Sequence, residues 1–373
     1  MEKLLNSNSV KSALETLGLN QKQLAEKVGV TSQAVTNWLK GADFPRPDKL
    51  LKIALALNLN FDKLVISNAK APVVAFRKKG GTITTESHLS KASSMGTLLK
   101  SLVSYLPESK ALRTHISSPS LEYDKLHSMA SAVRAKIGIG EQAVLEYTQL
   151  INEFDNNGAV IIPVMWGNRK NHGNALHIFL PEENVTFIYL NLDTHLEDFK
   201  FWMAHELAHV YTPELAGTDE GEDFADALAG ALLFPKELAQ KTYNLALNNQ
   251  NKASQIDILR KQAHLHTISL YSVFCEVVKY TEAYKLPKLL LNEVDIHAAR
   301  NMVRGHLVSE AIFGSEQTDA GRYIAASRSS FNTSFFEALQ KMLKELNINS
   351  GYIQQLLDIS LKDATALHAE LLN

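Results

Sequence analysis

Met203-Ala204-His205-Glu206-Leu207-Ala208-His209-Val210 is the stretch whose reading decides how this chain folds and what it carries. Phe199 to Val210 is rich in helix formers and apolar residues and holds no Gly or Pro, so it predicts a helix. Residues four apart on a helix stand about one turn apart, so His205 and His209 share a face and can direct both imidazoles at one ion. Glu206, next to the first, is placed to take a proton from water at such an ion. Glu222 follows thirteen residues after His209 and adds the carboxylate that a two-histidine, one-glutamate set needs. Pro213, Gly217 and Gly221 mark a short turn, and a second helix, Glu222 to Phe234, is stopped by Pro235. Two antiparallel helices joined this way return Glu222 to the histidines. Asp226, one turn further on, is expected to hydrogen-bond the far nitrogen of a liganding histidine. An ordinary amphipathic helix with surface histidines carries the same five-residue pattern by chance. The spacing to Glu222 favours bound Zn2+ instead.

His205-Glu206-Leu207-Ala208-His209, followed by Glu222-x-x-Ala225-Asp226-x-Leu228-Ala229-x-x-Leu232-Leu233-Phe234-Pro235, resembles the ImmA/IrrE-like metallopeptidases. The likeness covers residues 150–285 and is strongest from Met203 to Pro235. It implies a zinc protein acting on a transcriptional repressor. The chain departs from the family pattern with Ala208 for Gly, Asp226 for Asn, Leu228 for Phe and Phe234 for Met. Ligand atoms and helix spacing survive those changes.

The amino-terminal stretch carries a second signal. Gln23-Leu24-Ala25 and Val30-Thr31-Ser32-Gln33-Ala34-Val35-Thr36-Asn37-Trp38 read as a helix-turn-helix. Leu24, Ala25 and Val28 make an inner face, Gly29 permits a tight left-handed turn, and Thr31 or Ser32 caps a second helix. Val35, Trp38 and Leu39 of that helix point inward. Ser32, Gln33, Thr36, Asn37 and Lys40 are then left outward, and they are groove-reading and phosphate-binding types. Pro45-Arg46-Pro47-Asp48 opens a further helix, Lys49 to Leu57. The segment, over residues 8–66, resembles the XRE/Cro-like repressor domain, which implies operator DNA as a partner. The competing reading is a plain protein-docking bundle. Charge helps decide: residues 1–70 hold ten Lys+Arg against six Asp+Glu, a net of +4, while the remainder holds 28 against 34, a net of −6. A basic head on an acidic body fits DNA contact by one end, and so modest a basicity calls for a homodimer.

A length of 373 residues allows two or three domains. No long apolar run or secretion-type start is present, so no membrane is expected, and a single cysteine, Cys275, excludes an internal disulfide framework and fits the cytoplasm. The sequence around Cys275 reads as a small buried hydrophobe rather than a nucleophile. The expected architecture is α+β and predominantly helical. It has an all-α helix-turn-helix bundle at 1–70 and a zincin-like domain with a small β-sheet, the active helix and a helical lead-in at 71–285. A helical region at 286–373 would sense a ligand or bind a partner.

Within that frame, Val73 to Gly81 reads as a short strand-like piece and a basic turn, whose Arg77-Lys78-Lys79 fits a solvated linker better than a contact to DNA backbone. Ser94 to Leu106 and Leu121 to Ile137 read as helices. Ala159 to Val164, Ala175 to Leu180 and Val185 to Asn191 read as strands. Val185 to Asn191, just before the histidine helix, is offered as a sheet edge for an extended peptide. His172, His177 and His195 read as surface or structural residues rather than a fourth ligand, and Tyr211 as a weak candidate for oxyanion stabilisation. The stretch from Ala263 to Val273 faintly echoes a second helix-turn-helix, but its apolar content points to core. Three functions stay open. They are a DNA-binding regulator with a zinc endopeptidase that cleaves a repressor or partner, an antitoxin that represses its operon and neutralises a cognate toxin, and a ligand-sensing repressor without proteolysis. Glu206 favours the first, since a purely structural metal does not require it.

Overall fold

The computed structural model describes residues 3–59, 61–67, 72–75, 86–108, 113–166, 175–301, 305–314 and 318–373. The chain divides into two compact units, Met1–Ala71 and Pro72–Asn373. It is predominantly helical, with a small mixed sheet in the second unit.

In the first unit, α1 (Ser7–Thr16), α2 (Gln21–Val28), α3 (Ser32–Leu39), α4 (Pro47–Leu57) and α5 (Phe61–Leu64) lie between two short strands. These strands, β1 (Lys3–Leu5) and β2 (Val65–Ser67), pair antiparallel and bring the two ends of the unit together. The helix boundaries have local causes. Asn20 and Gln23 form a reciprocal capping box at the start of α2, and Gly29 ends it at φ 71°, a conformation that costs a Cβ-free residue little. Thr31 then caps α3 by accepting from the Ala34 N–H. Val10, Leu14, Leu24, Ala25, Val28, Val35, Trp38, Ile53 and Leu57 form one apolar core.

The second unit begins with β3 (Val73–Ala75), α6 (Glu86–Val103), α7 (Tyr123–Ile137) and α8 (Tyr147–Asn156). The strands β4 (Ala159–Val164), β5 (Ala175–Leu180) and β6 (Val185–Asn191) follow, then α9 (Leu196–Tyr211), a 3-10 turn at Pro213–Leu215, and α10 (Asp219–Leu233). Next come α11 (Lys236–Leu247), α12 (Lys252–His266) and α13 (Leu270–Ala283). The chain closes with α14 (Glu293–Asn301), α15 (Val308–Phe313), α16 (Ala320–Phe331), α17 (Phe335–Leu346), α18 (Ser350–Leu357) and α19 (Leu361–Leu372). The apolar side chains of α16 to α19 join the same core as those of α6 to α13.

The sheet order is β3-β5-β6-β4, with β4 and β6 parallel and the other neighbours antiparallel. β6 is therefore an interior strand, flanked by β5 and β4. That corrects the reading of Val185 to Asn191 as a sheet edge. Its last six residues are buried throughout, which suits a strand covered on both faces and leaves no backbone free for a peptide. Successive strand residues point to opposite faces. On β5, Ile178 packs against Gly96 of α6 while His177 reaches Glu206 of α9, so these two helices cover opposite faces of the sheet. The echo of a second helix-turn-helix at α12 and α13 resolves as core, because Leu270, Val273 and Phe274 are buried. Cys275 lies half-buried beside them, and burial pushes its thiol up to about 11.

Candidate metal centre and reading helix

α9 is buried almost all round: Phe199, Met203, Ala204, Leu207, Ala208, Val210 and Tyr211 enter the core. Into this apolar cylinder the sequence sets Lys200, His205, Glu206 and His209, each no more than 2 % exposed. Burying such groups costs several kcal/mol unless they are partnered, at about 2–7 kcal/mol for a neutral polar group and more for a charge. Each therefore needs an account. Lys200 donates to the His266 carbonyl at 2.7 Å and lies 4.8 Å above the Tyr147 ring, with burial lowering its ammonium to about 8. That lysine ties α9 to α12. The other three converge.

His205 Nε2 and His209 Nε2 face each other at 3.2 Å. Glu222 sets one carboxylate oxygen 3.5 Å from His205 Nε2 and the other 3.4 Å from His209 Nε2. It sits in the first turn of α10, which packs against α9. The approach is fixed locally: a Cβ at Gly221 would stand 2.1 Å from the Leu215 carbonyl oxygen, so only glycine lets the 3-10 turn lie this close to the start of α10. His205, His209 and Glu222 form the metal-capable group found among the described residues.

These separations test whether the group fits zinc. Tetrahedral bonds of about 2.0–2.1 Å to nitrogen and about 2.0–2.2 Å to oxygen put neighbouring donor atoms about 3.3–3.5 Å apart. The 3.2 Å between the two imidazole nitrogens, and the 3.5 and 3.4 Å from each of them to one oxygen of the Glu222 carboxylate, are separations of that size. The donors are also chemically ready. Asp226 Oδ1 lies 2.9 Å from His205 Nδ1, so Nδ1–H donates to it and the Nε2 lone pair is left facing the group. His209 Nδ1 has no hydrogen-bond partner among the described residues.

Without an ion, the carboxylates hold a proton on His205 instead, which a metal would displace. Burial alone pulls the His205 imidazole down, but hydrogen bonds to Asp226 and Glu222, with the nearby Glu206 charge, raise it to about 9. Burial pushes Glu222 up, and its two histidine contacts outweigh that and hold it at about 2. The cluster thus draws positive charge inward. Glu206 is 2 % exposed, and its Oε2 makes no hydrogen bond among the described residues.

His177, read from the sequence as a surface or structural residue, stands beside the candidate base. It is fully buried, its Nδ1 lies 3.5 Å from Glu206 Oε2, and its ring stands edge-on to His209 at 5.5 Å between centroids. Neither ring nitrogen has a hydrogen bond among the described residues, and burial lowers its pKa below the ordinary imidazole value. The signal was a polar residue inside an otherwise apolar strand, Ala-Leu-His-Ile-Phe-Leu. His195 instead stands before the first residue of α9, with Nδ1 2.8 Å from the Gly305 carbonyl oxygen. His172 falls outside the described residues. Tyr211 donates its hydroxyl to Glu153 at 2.8 Å, and Glu153 also accepts from buried Asn157 and exposed Lys136.

In the first unit, α3 exposes Ser32 and Gln33, and Lys40 is exposed at its end. Thr36 and Asn37 are half-buried on the same helix. Gln33 donates to Asn37 Oδ1 at 2.9 Å, a pairing that holds both amides on one outward row. Thr36 instead bonds inward to the Ser32 carbonyl at 3.0 Å and to Gln21 of α2 at 3.4 Å.

Among the described residues, no helix is long and apolar enough to cross a membrane. No curated protein matches the chain. Residues 10–64 match the family model described as helix-turn-helix, and this span holds most of α1 and all of α2 to α5. Residues 160–264 match the one described as the IrrE N-terminal-like domain, and this span holds β5, β6, α9 and α10 with the whole histidine–carboxylate group. The chain thus joins a helix-turn-helix DNA-binding module to an IrrE-like, metallopeptidase-like domain.

Proposed function

We propose that this protein is an operator-binding transcriptional regulator whose second unit is a zinc-dependent endopeptidase acting on a repressor or other partner protein. The observation that carries the reading is the grouping of His205, His209 and Glu222 beside a buried Glu206 whose Oε2 makes no hydrogen bond among the described residues. His205, His209 and Glu222 would hold the ion. When bound, it supplies Lewis acidity, polarising a carbonyl and making water acidic enough to react near neutral pH. Asp226 fixes the His205 tautomer and ring orientation. Glu206 is the general base: it takes a proton from the attacking water and returns it to the departing amine. Its burial keeps bulk water from competing for that proton.

At the other end, Gln33 and Asn37 would meet base edges, Ser32, Thr36 and Lys40 would contact the backbone, and a homodimer would place two such helices on one operator. The test is to incubate zinc-loaded protein, wild type beside Glu206→Gln, with a proteome-derived peptide library and to read new termini by mass spectrometry. Termini produced by the wild type, dependent on zinc and lost in Glu206→Gln, are expected. Equal products from both proteins would overturn the assignment of the base.

A further inference from the structure

The two edges of the sheet are finished differently. On the outer edge of β4, Tyr323 of α16 donates to the Pro163 carbonyl, and Thr333 donates to the Ile161 carbonyl. Pro163 has no N–H to offer, so that edge is closed to an incoming strand. The opposite edge belongs to β5, the strand that carries His177 to Glu206. There the covering strand is β3, which comes from outside the matched domain: the family match begins at residue 160, whereas β3 is Val73–Ala75. β3 has three residues against six in β5, pairing Val73 with Phe179, Val74 with Ile178 and Ala75 with His177. On its far side it meets the turn between the two ligand-bearing helices: a Cβ at Gly217 would lie 2.9 Å from the Val74 carbonyl oxygen. β3 therefore runs between β5 and the α9–α10 turn, in register with the strand position next to the candidate base.

We infer that the outer edge of β5 is the peptide-binding edge of this domain and that Val73–Ala75 is its resident, displaceable occupant, supplied by the chain itself. The inference rests on the peptidase reading for its purpose but not for its test. An antiparallel strand in that slot has the geometry of a bound extended peptide, with backbone bonds to β5 giving affinity. The resident residues, Pro72-Val73-Val74-Ala75, are uncharged and small or β-branched, so the substrate class is an extended, uncharged segment of that kind. A tethered occupant competes at an effective concentration on the order of millimolar, so weak peptides in trans are shut out and the site stays quiet until a better strand arrives.

The probe is a fluorescein-labelled peptide of residues 71–79, Ala-Pro-Val-Val-Ala-Phe-Arg-Lys-Lys, with a scrambled version as control. Binding is read by anisotropy on the full chain carrying Glu206→Gln, so cleavage does not enter the measurement. One form adds Val73→Cys with Phe179→Cys. These positions face each other across an antiparallel pair and lie within disulfide range, so oxidation locks β3 in place. Another adds Val73→Asp with Val74→Asp to open the edge. At least tenfold tighter binding by the opened form than by the locked form is expected, with reduction of the locked form restoring intermediate binding. Equal binding by all three, or none by the opened form, would overturn the inference. Hydrogen exchange of the otherwise unaltered chain decides the case even if the opened form misfolds. β3 amides should exchange at least tenfold faster than those between β5 and β6, and equal protection would make β3 a permanent strand. A domain that binds the peptide as described yet cleaves nothing would refute the peptidase reading alone.

Discussion

Among the described residues, the helix-turn-helix head buries Leu5, Val10, Leu24, Val35, Trp38, Ile53 and other apolar side chains but no polar or charged one. The body buries Arg134, Glu153, His177, Lys200, His205, Glu206, His209 and Glu276 as well as its apolar core. The difference separates two ways of working. A small bundle of helices holds itself together with an apolar centre, and in the proposed function it would present Gln33, Asn37 and Lys40 to a ligand as large as a duplex. A site that must control a proton and an ion needs its groups out of water, where each interaction is stronger and each unpaired group more costly. Some buried charges in the body are structural: Arg134 donates to the Leu232 carbonyl at 2.6 Å and the Gly140 carbonyl at 2.7 Å, clamping α7 to the end of α10. The group around Glu206 has no such closure. Its buried atoms face one another with hydrogen bonds still to make.

If that contrast is right, substitutions should divide cleanly between the two units. Glu206→Gln is expected to lower cleavage by about 10²–10⁴-fold while leaving zinc content and operator affinity unchanged. Retained cleavage would remove Glu206 from the chemistry.

Acid should act on the body next. His127 and His266 are both held at about 4, chiefly by burial and then by neighbouring cations, Lys279 and Lys236 for the first and Lys200 and Arg134 for the second. His127 is also committed to its neutral form by accepting the Lys236 backbone N–H at Nδ1, 3.2 Å away. Unfolded imidazoles titrate near 6.5, so between about 6.5 and 4 the unfolded chain binds protons that the native one refuses. Stability conferred by the neutral rings is complete above pH 6.5 and is lost as the pH falls toward 4. Each ring accounts for about 2 kcal/mol between pH 7 and pH 5. Urea melts followed by tryptophan fluorescence should show the body losing stability over that range, and His127→Phe should lessen the loss. A body as stable at pH 5 as at pH 7 would contradict the burial account.

Asp226→Asn should weaken zinc affinity by about 10–100-fold without removing a ligand, measured by competition with a chelator. An unchanged affinity would make the Asp226 contact incidental. In the head, Lys40→Ala should weaken operator binding several-fold and lower the salt slope by about 1, while Gln33→Ala should relax sequence preference at one position. Neither should alter metal content. If neither affects operator binding, α3 is not the reading helix.

How much of this was legible in the sequence follows from how local each signal is. The α9 and α10 helices were readable because their residues are apolar on nearly every side and bounded by a turn, and the histidine spacing fixes a shared face. The three strands β4, β5 and β6 were readable as apolar runs, with their turn at Asn184 in the left-handed conformation. Their order was not. It depends on β4 pairing directly with β6 rather than with β5, the next strand in sequence, and on β3 arriving from about a hundred residues upstream. The same non-locality hid His177, whose neighbour Glu206 lies on another element. It also hid the seating of the carboxy-terminal helices, where Trp166 and Tyr189 reach the Leu357 and Leu356 carbonyls at 2.8 and 2.9 Å.

The central claim is that the buried polar group of the body is a zinc site. Elemental analysis of the purified protein, wild type beside His205→Ala, tests it most directly. The account predicts close to one zinc per wild-type chain and a loss of that zinc in the variant, with circular dichroism showing that the variant still folds. Wild-type protein that carries no metal when purified without chelator, and takes up none when zinc is added, would contradict it.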